Sequence, residues 1–203
     1  MRYFVTGIGT EIGKTLTSSI LVEALEADYW KPIQSGELEN SDTLKVKALI
    51  SNNKSQFHQE SYRLKAAMSP HAAAQRENIE IQTANCTLPQ TQNRLIIEGA
   101  GGLHVPLNDT DCIIDLIAQF KAETILVSQH YLGSINHTLL SVEALENRGL
   151  KIKGIIFNGD ENKDTENIIL SKTGLKLLGR IPQIDKIDKN SVKTIAQQFK
   201  HIK

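Results

Sequence analysis

The order of apolar and polar segments predicts an α/β fold, a doubly wound and mostly parallel sheet with helices on both faces. Three observations carry that prediction. The chain opens on an apolar run that ends in a glycine-rich loop and then an amphipathic helix start, over residues 2 to 17, RYFVTGIGTEIGKTLT. From Arg94 onward strand-like runs alternate with helix-like ones, the rhythm of a sheet covered on both sides. The polar residues that look chemically useful fall at the carboxyl ends of those runs, where open parallel sheets bind their ligands.

The elements follow in order. The first strand leads into the loop, and a helix runs from Lys14 to Glu26. Asp28 to Ile33 reads as a second strand that ends at Gln34, Ser35 and Gly36. Asn40, Ser41 and Asp42 open an amphipathic helix with Leu44, Val46, Leu49 and Ile50 on its periodic positions, and either Ser41 or Asp42 suits its N-cap. Residues 51 to 93 are polar and predict an irregular excursion. One helix starts there at Ser69, because Pro70 sits well at a first helical position; Pro89 keeps any helix near Cys86 short. Beyond it come strand 94–98, helix 112–120, strand 123–128, helix 134–147, strand 152–157, helix 163–172, strand 176–181 and helix 190–200.

With 203 residues, 40% hydrophobic and 23% charged, the chain predicts one domain, 1–203. Its formal net charge is zero and no basic cluster is present, which argues against nucleic acid as a partner. No apolar run approaches a membrane span and no signal-peptide pattern precedes the first strand, so a membrane role is not expected. Cys86 and Cys112 lie far apart with neither metal nor redox spacing, as reduced thiols of a cytoplasmic protein would.

The loop carries the chemistry. Glycines let backbone N–H groups crowd round phosphate oxygens, and the helix that follows adds its dipole. Gly13, Lys14 and Thr15 end a P-loop in a variant form, since the strict pattern asks for glycine where Ile8 stands, with Gly7 one step earlier. The fold class is therefore P-loop NTPase-like. Lys14 would reach the β- and γ-phosphates of ATP, and the Thr15 hydroxyl would take one position on Mg²⁺. Glu98 ends an apolar run and precedes Gly99, Ala100 and Gly101, a carboxylate beside a backbone that a ligand can approach closely, and a metal partner for Thr15. Lys31 would face the same crevice from the second strand, so two lysines could flank a transferring phosphoryl group. Asn158, before Gly159, suits either a purine-pairing amide or a plain Asn-Gly turn.

Taken together the segments FVTGIGTEIGKT, WKPIQSG, NSD, SPHAAA, IIEGAGGLHVPL, LGSINHTLLS, FNGD and LLGRIP resemble, in order, the dethiobiotin synthetase family. That resemblance runs almost the whole chain. It implies ring closure of 7,8-diaminononanoate with CO₂ (or bicarbonate) and ATP, by a homodimer. It implies that Glu11, Ile12, Gly13, Lys14, Thr15 and Leu16 hold the nucleotide phosphates, and that Thr15, Asp42 and Glu98 hold Mg²⁺. Lys31 matches the family's active-site lysine, with Thr10, Glu11 and Lys14 in the same catalytic group. Gly99, Ala100 and Gly101 border the nucleotide, while Asn158, Gly159, Ile181, Pro182 and Gln183 match its adenine pocket. Ser35 matches a substrate-binding serine, and Leu132, Gly133, Ser134, Ile135 and Asn136 match a stretch that reaches the substrate's carboxylate end from the partner subunit. The chain departs from the pattern in a short loop before Asn40, a short 79–93 segment, Gln183 in place of an aromatic residue, and His130 and Tyr131 in place of an expected lysine.

Three other readings share parts of this pattern. A dimeric ATPase switch of the partition or septum-site type has the variant loop, but such switches carry an extra lysine where Gly9 stands. An amidotransferase-type ligase would need an attached glutaminase, for which the chain is too short. A third, a nucleotide-binding module without catalysis, differs from an enzyme in having no ATP turnover that depends on the diamine.

Overall fold

The computed structural model describes residues 1–202. Among these residues nine strands form, β1 Arg2–Gly7, β2 Asp28–Trp30, β3 Ile33–Ser35, β4 Phe57–His58, β5 Tyr62–Leu64, β6 Leu95–Gly102, β7 Glu123–Gln129, β8 Ile152–Asn158 and β9 Leu177–Ile181. The helices are α1 Lys14–Leu25, α2 Asp42–Leu49, α3 Pro70–Arg76, α4 Ile113–Phe120, α5 Ser134–Asn147, α6 Lys163–Thr173 and α7 Lys189–Ala196. Seven strands make one sheet in the order β4-β2-β6-β1-β7-β8-β9, and every pairing in it is parallel. The predicted doubly wound sheet is therefore present.

Strand alternation divides the core between the two faces. Tyr3, Val5, Tyr29 and Ile96 point to one side, where they meet Ile20 and Leu21 of α1, Val46 of α2 and Val192 of α7. Phe4, Trp30, Leu95 and Ile97 point to the other and pack on Ile113, Ile117 and Phe120 of α4 and on Ala73 and Ala74 of α3. Because β1 is flanked by β6 on one side and β7 on the other, the connections reverse direction beside its carboxyl end. That reversal opens a crevice where the loop 8–13 emerges.

Several expectations are corrected. The second strand stops at Trp30, since Pro32 cannot donate to a ladder; Ile33–Ser35 instead pairs with Tyr62–Leu64 as a separate two-stranded parallel sheet. β6 runs four residues past its predicted end, through the glycines, and pairs Gly102 with Gly7 after a register shift. Leu44, expected on the inner face of α2, is exposed, whereas Val46 is fully buried and Ile50 is buried just beyond the helix. The last helix ends at Ala196 and tightens into a 3₁₀ turn over Gln197–Phe199. The excursion 51–93 is largely irregular as expected, apart from the short strands β4 and β5, α3 with Pro70 in its first turn, and a 3₁₀ turn at Thr83–Asn85.

Candidate active site

The loop brings Lys14 and Thr15 to the start of α1 through a left-handed glycine. Gly13 has φ 86°, and a Cβ there would lie 2.2 Å from Asn158 Nδ2. Only glycine satisfies both conditions. Asn158 fills that space from the end of β8 and donates to the Ile12 carbonyl at 3.1 Å, so it braces the phosphate loop. This is a role that neither sequence reading of Asn158 contained. Its amide nitrogen is engaged by the loop.

Four charged side chains converge at the strand ends. The Thr15 hydroxyl donates to Glu98 Oε1 at 2.8 Å, and the Tyr29 phenol donates to Glu98 Oε2 at 2.9 Å. The Lys31 ammonium lies 2.5 Å from Asp42 Oδ2 and 3.2 Å from Glu98 Oε1. Lys45 approaches the second Asp42 oxygen at 3.5 Å and pairs with Glu37 at the rim. Asp42 is free for this work because Ser41 is the N-cap of α2, its hydroxyl accepting from the Leu44 amide. Gln34 fixes the turn by accepting from the Asp42 amide and donating to the Gly36 carbonyl.

Burial sets the electrostatics. Lys31 is 4% exposed, and burial alone would drive its ammonium toward the neutral form; the charges of Glu98 and Asp42 outweigh that and hold its pKa above the ordinary lysine range. Asp42 responds in the opposite sense, since Lys31 overcomes the effect of burial and lowers its pKa. Lys14 donates to the Gly9 carbonyl at 2.8 Å instead of to a carboxylate. Burial, joined by repulsion from Lys31 and only partly opposed by Glu98, pulls Lys14 down to about 8. The Tyr29 phenol is pushed well above its usual range by burial and by the Glu98 charge, so it keeps its proton and donates.

Lys14, Thr15, Lys31, Asp42, Lys45 and Glu98 line a cavity of about 700 Å³ together with Thr10, Glu11, Gly13, Leu16, Ser35, Ala100 and Gly101, while Tyr29 lies behind Glu98 and outside that lining. A larger hollow of about 1040 Å³ at the amino ends of the strands contains none of the predicted residues. The remaining candidates separate by position. Ile12 is a core anchor at 3% exposure, and Gly99 packs against Phe4 and Ile113 instead of facing the cavity. Gly159 donates to the Ile181 carbonyl, and Ile181 itself is fully buried, so of that group Pro182 and Gln183 offer exposed side chains beside Asn158. Leu132, Gly133, Ile135 and Asn136 are exposed at the start of α5, with Ser134 buried among them, and none of the five lines the cavity of its own chain.

The donor set suits a hard cation. Thr15, Asp42 and Glu98 offer only oxygens, of the kind Mg²⁺ selects, and an ammonium already sits between the two carboxylates where positive charge is favoured. Among the described residues no group of three or more His, Cys, Asp and Glu side chains forms a closed cage.

Comparison with known proteins decides the family. The chain is 54% identical over 198 residues to the ATP-dependent dethiobiotin synthetase BioD of Christiangramia forsetii, covering 98% of this chain and 95% of that one. The chain belongs to the dethiobiotin synthetase family. A second relative of the same name, from Cytophaga hutchinsonii, is 54% identical over 96% of this chain and 95% of its own length. The family model described as "AAA domain" matches residues 1–191. Among solved structures, the septum site-determining protein MinD complexed with Mg-ADP from Pyrococcus horikoshii has a TM-score of 0.61 at 14% identity, covering 97% of this chain and 95% of that one. A ParA family ATPase from Chlorobium tepidum has a TM-score of 0.57 at 13% identity, over 97% and 91%. Likenesses at that identity establish the fold alone, while the family assignment rests on the 54% relatives.

The sequence reasoning missed three contributors to the site. Tyr29 reads as strand filler, because its partner is 69 residues away. Lys45 reads as the solvated face of α2, and Gln34 as the end of a strand. The only signal available for Lys45 was its spacing, one turn of helix from Asp42.

Proposed function

We propose that this chain is an ATP-dependent dethiobiotin synthase, a ligase that closes a cyclic urea on 7,8-diaminononanoate and that acts as one catalytic domain, 1–203. The observation that carries the reading is the placement of Lys31. Its ammonium is buried between Asp42 and Glu98 on the wall of the same cavity that Lys14 and Thr15 enter from the phosphate loop.

One amine of the substrate attacks CO₂ and loses a proton to form a carbamate. The carbamate oxygen takes the γ-phosphoryl group of ATP, releasing ADP and leaving a mixed carbamic–phosphoric anhydride. The second amine then attacks the carbamoyl carbon and gives up a proton, the ring closes, and inorganic phosphate leaves as its bond to that carbon breaks. Phosphoryl transfer asks the protein mostly for position and charge. Lys14 and the amides of Glu11 to Leu16 hold the phosphates. Lys31 holds the carbamate and then balances charge on the moving phosphoryl group, with Thr10 and Glu11 at the cavity edge beside it. Thr15, Asp42 and Glu98 would hold Mg²⁺, which when bound neutralises phosphate charge. Ser35 supports a substrate contact, since its buried hydroxyl has no hydrogen-bond partner among the described residues and belongs to the cavity lining. Ala100 and Gly101 border the phosphates, and Gly99 backs them from within β6. Asn158 Oδ1, Gly159, Ile181, Pro182 and Gln183 form the adenine end.

The substrate's carboxylate end is met by Leu132 to Asn136 of a second copy. Support comes from the exposure of Leu132, 104%, and of Leu140, 54%, apolar side chains on and beside that stretch. No described helix is long and apolar enough to cross a membrane. We place the enzyme in the cytoplasm. Incubation with 7,8-diaminononanoate, bicarbonate, Mg²⁺ and ATP should yield the cyclic urea by mass spectrometry. ATP hydrolysis indifferent to the diamine, with no urea formed, would reject the reading.

A further inference from the structure

Glu98 is 1% exposed, and its two oxygens are divided between different partners. Oε1 faces the Thr15 hydroxyl and the Lys31 ammonium, on the cavity side. Oε2 accepts from the Tyr29 phenol in a fully buried bond. The phenol is well placed to hold that oxygen. Tyr29 pairs with Ile96 across β2 and β6, two residues before Glu98, so its side chain runs along the same face of the sheet toward the strand ends. Its ring is wholly buried and is backed by Phe57 of the neighbouring strand, with centroids 6.0 Å apart. Nothing in the proposed chemistry uses this hydroxyl directly, and a tyrosine needed only for packing would serve as well as phenylalanine.

The difference matters because divalent cations use carboxylates differently. Mg²⁺ requires near-octahedral geometry at short distances and takes single oxygens, whereas Ca²⁺ accepts six to eight ligands and readily takes both oxygens of one carboxylate. A carboxylate with one oxygen tied to a buried phenol presents a single oxygen to the site. We propose that Tyr29 is a positioning residue that restricts Glu98 to one-oxygen coordination and so sets the site's preference for a small octahedral cation over a larger one. This rests on the reading of Thr15, Asp42 and Glu98 as the metal site.

The test is calorimetric titration of Mg²⁺ and of Ca²⁺ into the full-length protein saturated with a non-hydrolysable ATP analogue, comparing wild type, Tyr29→Phe, Glu98→Gln and Phe57→Leu. The ratio of the two affinities, compared between proteins, removes the nucleotide's own contribution. In Tyr29→Phe the Ca²⁺-to-Mg²⁺ affinity ratio should rise by roughly tenfold or more, because loss of a partner behind a metal ligand typically weakens metal binding by about 10- to 100-fold and Ca²⁺ regains the freed oxygen. Phe57→Leu loosens the same ring and keeps the hydroxyl, so its ratio should stay at the wild-type value. An unchanged ratio in Tyr29→Phe while Glu98→Gln weakens both cations would overturn the positioning role alone. Equal weakening of both cations in Tyr29→Phe, or a matching shift in Phe57→Leu, would overturn it too, as loss of packing. Cation affinity unaffected by Glu98→Gln would overturn the metal site, and this inference with it.

Discussion

Replacing Lys31 by glutamine removes one positive charge from the most enclosed part of the site while keeping a hydrogen-bond donor of similar length. Two effects of different size follow. Breaking a buried ion pair by deleting one partner ordinarily costs about 3–5 kcal/mol, because the other charge is left stranded. Here neither carboxylate is stranded: Asp42 keeps Lys45 at 3.5 Å, and Glu98 keeps Thr15 at 2.8 Å and Tyr29 at 2.9 Å. The stability loss should therefore be smaller, about 1–3 kcal/mol, since what is lost is a charge-assisted bond rather than all compensation. Turnover should fall much further. Losing one preorganised donor that meets developing charge lowers kcat by roughly 10²- to 10³-fold. Because Lys14 and the loop amides carry the phosphates, affinity for an ATP analogue should change by less than about tenfold, which is 1.4 kcal/mol. Urea denaturation, steady-state kinetics at saturating diamine and analogue titration read the three quantities separately. Near-wild-type kcat would refute the catalytic role of Lys31. Loss of analogue binding as large as the loss of kcat would show that the residue serves the nucleotide and not the transfer.

Gly13→Ala should cripple the loop, since it puts a Cβ 2.2 Å from Asn158 Nδ2 at φ 86°; a stability loss of about 1–3 kcal/mol with much weaker ATP-analogue binding is expected, and unimpaired binding would deny the bracing contact. Asp28 is 1% exposed and accepts from Thr91, Gln56, Asn93 and His58; burial works against its charge, but these bonds win and lower its pKa. The stability it contributes is thus present above the unfolded carboxylate pKa of about 3.9 and lost as pH falls through the lower folded value, so wild type should weaken below about pH 4 while Asp28→Asn, less stable by about 1.5–3 kcal/mol at pH 7, shows a flatter acid limb in urea melts; equal acid slopes would refute this. Sedimentation of active enzyme should show a homodimer that Leu132→Asp weakens together with activity, and a fully active monomer at assay concentration would exclude the shared site.

How much of this was legible in the sequence depends on the range of the interactions. The loop residues Gly13, Lys14 and Thr15 are contiguous, and Glu98 follows an apolar run, so motif and strand end were enough to locate them. The helix 134–147 was legible to the residue because a glycine precedes it and it runs for 14 residues. What failed was short or distant. Ile33–Ser35 contains three residues, too few for an alternation to show, and its partner Tyr62–Leu64 lies in a polar excursion. The Asp42 ambiguity was real in the sequence, since both Ser41 and Asp42 can cap a helix; backbone geometry assigns the cap to Ser41 and releases the carboxylate. Tyr29 and Asn158 do their work through single bonds to residues far along the chain, and no local pattern reports such a bond.

Lys14 and Lys31 differ in how they are committed, and the difference orders the proposed reaction. Lys14 rests on a backbone carbonyl, and burial has already pulled its pKa to about 8, so a polyphosphate is the partner that would restore its charge fully. Lys31 is held by two carboxylates and has a raised pKa, so it stays charged at any pH at which the protein would be assayed. A carbamate competes poorly for an ammonium already neutralised by Asp42 and Glu98. It competes well once those carboxylates share their charge with another cation. On the proposed reading the nucleotide and its ion therefore engage Lys14, Thr15, Asp42 and Glu98 first, and Lys31 turns toward the carbamate as its present partners are drawn off. On the same reading the buried bond from Tyr29 holds one oxygen of Glu98 while the other changes partner.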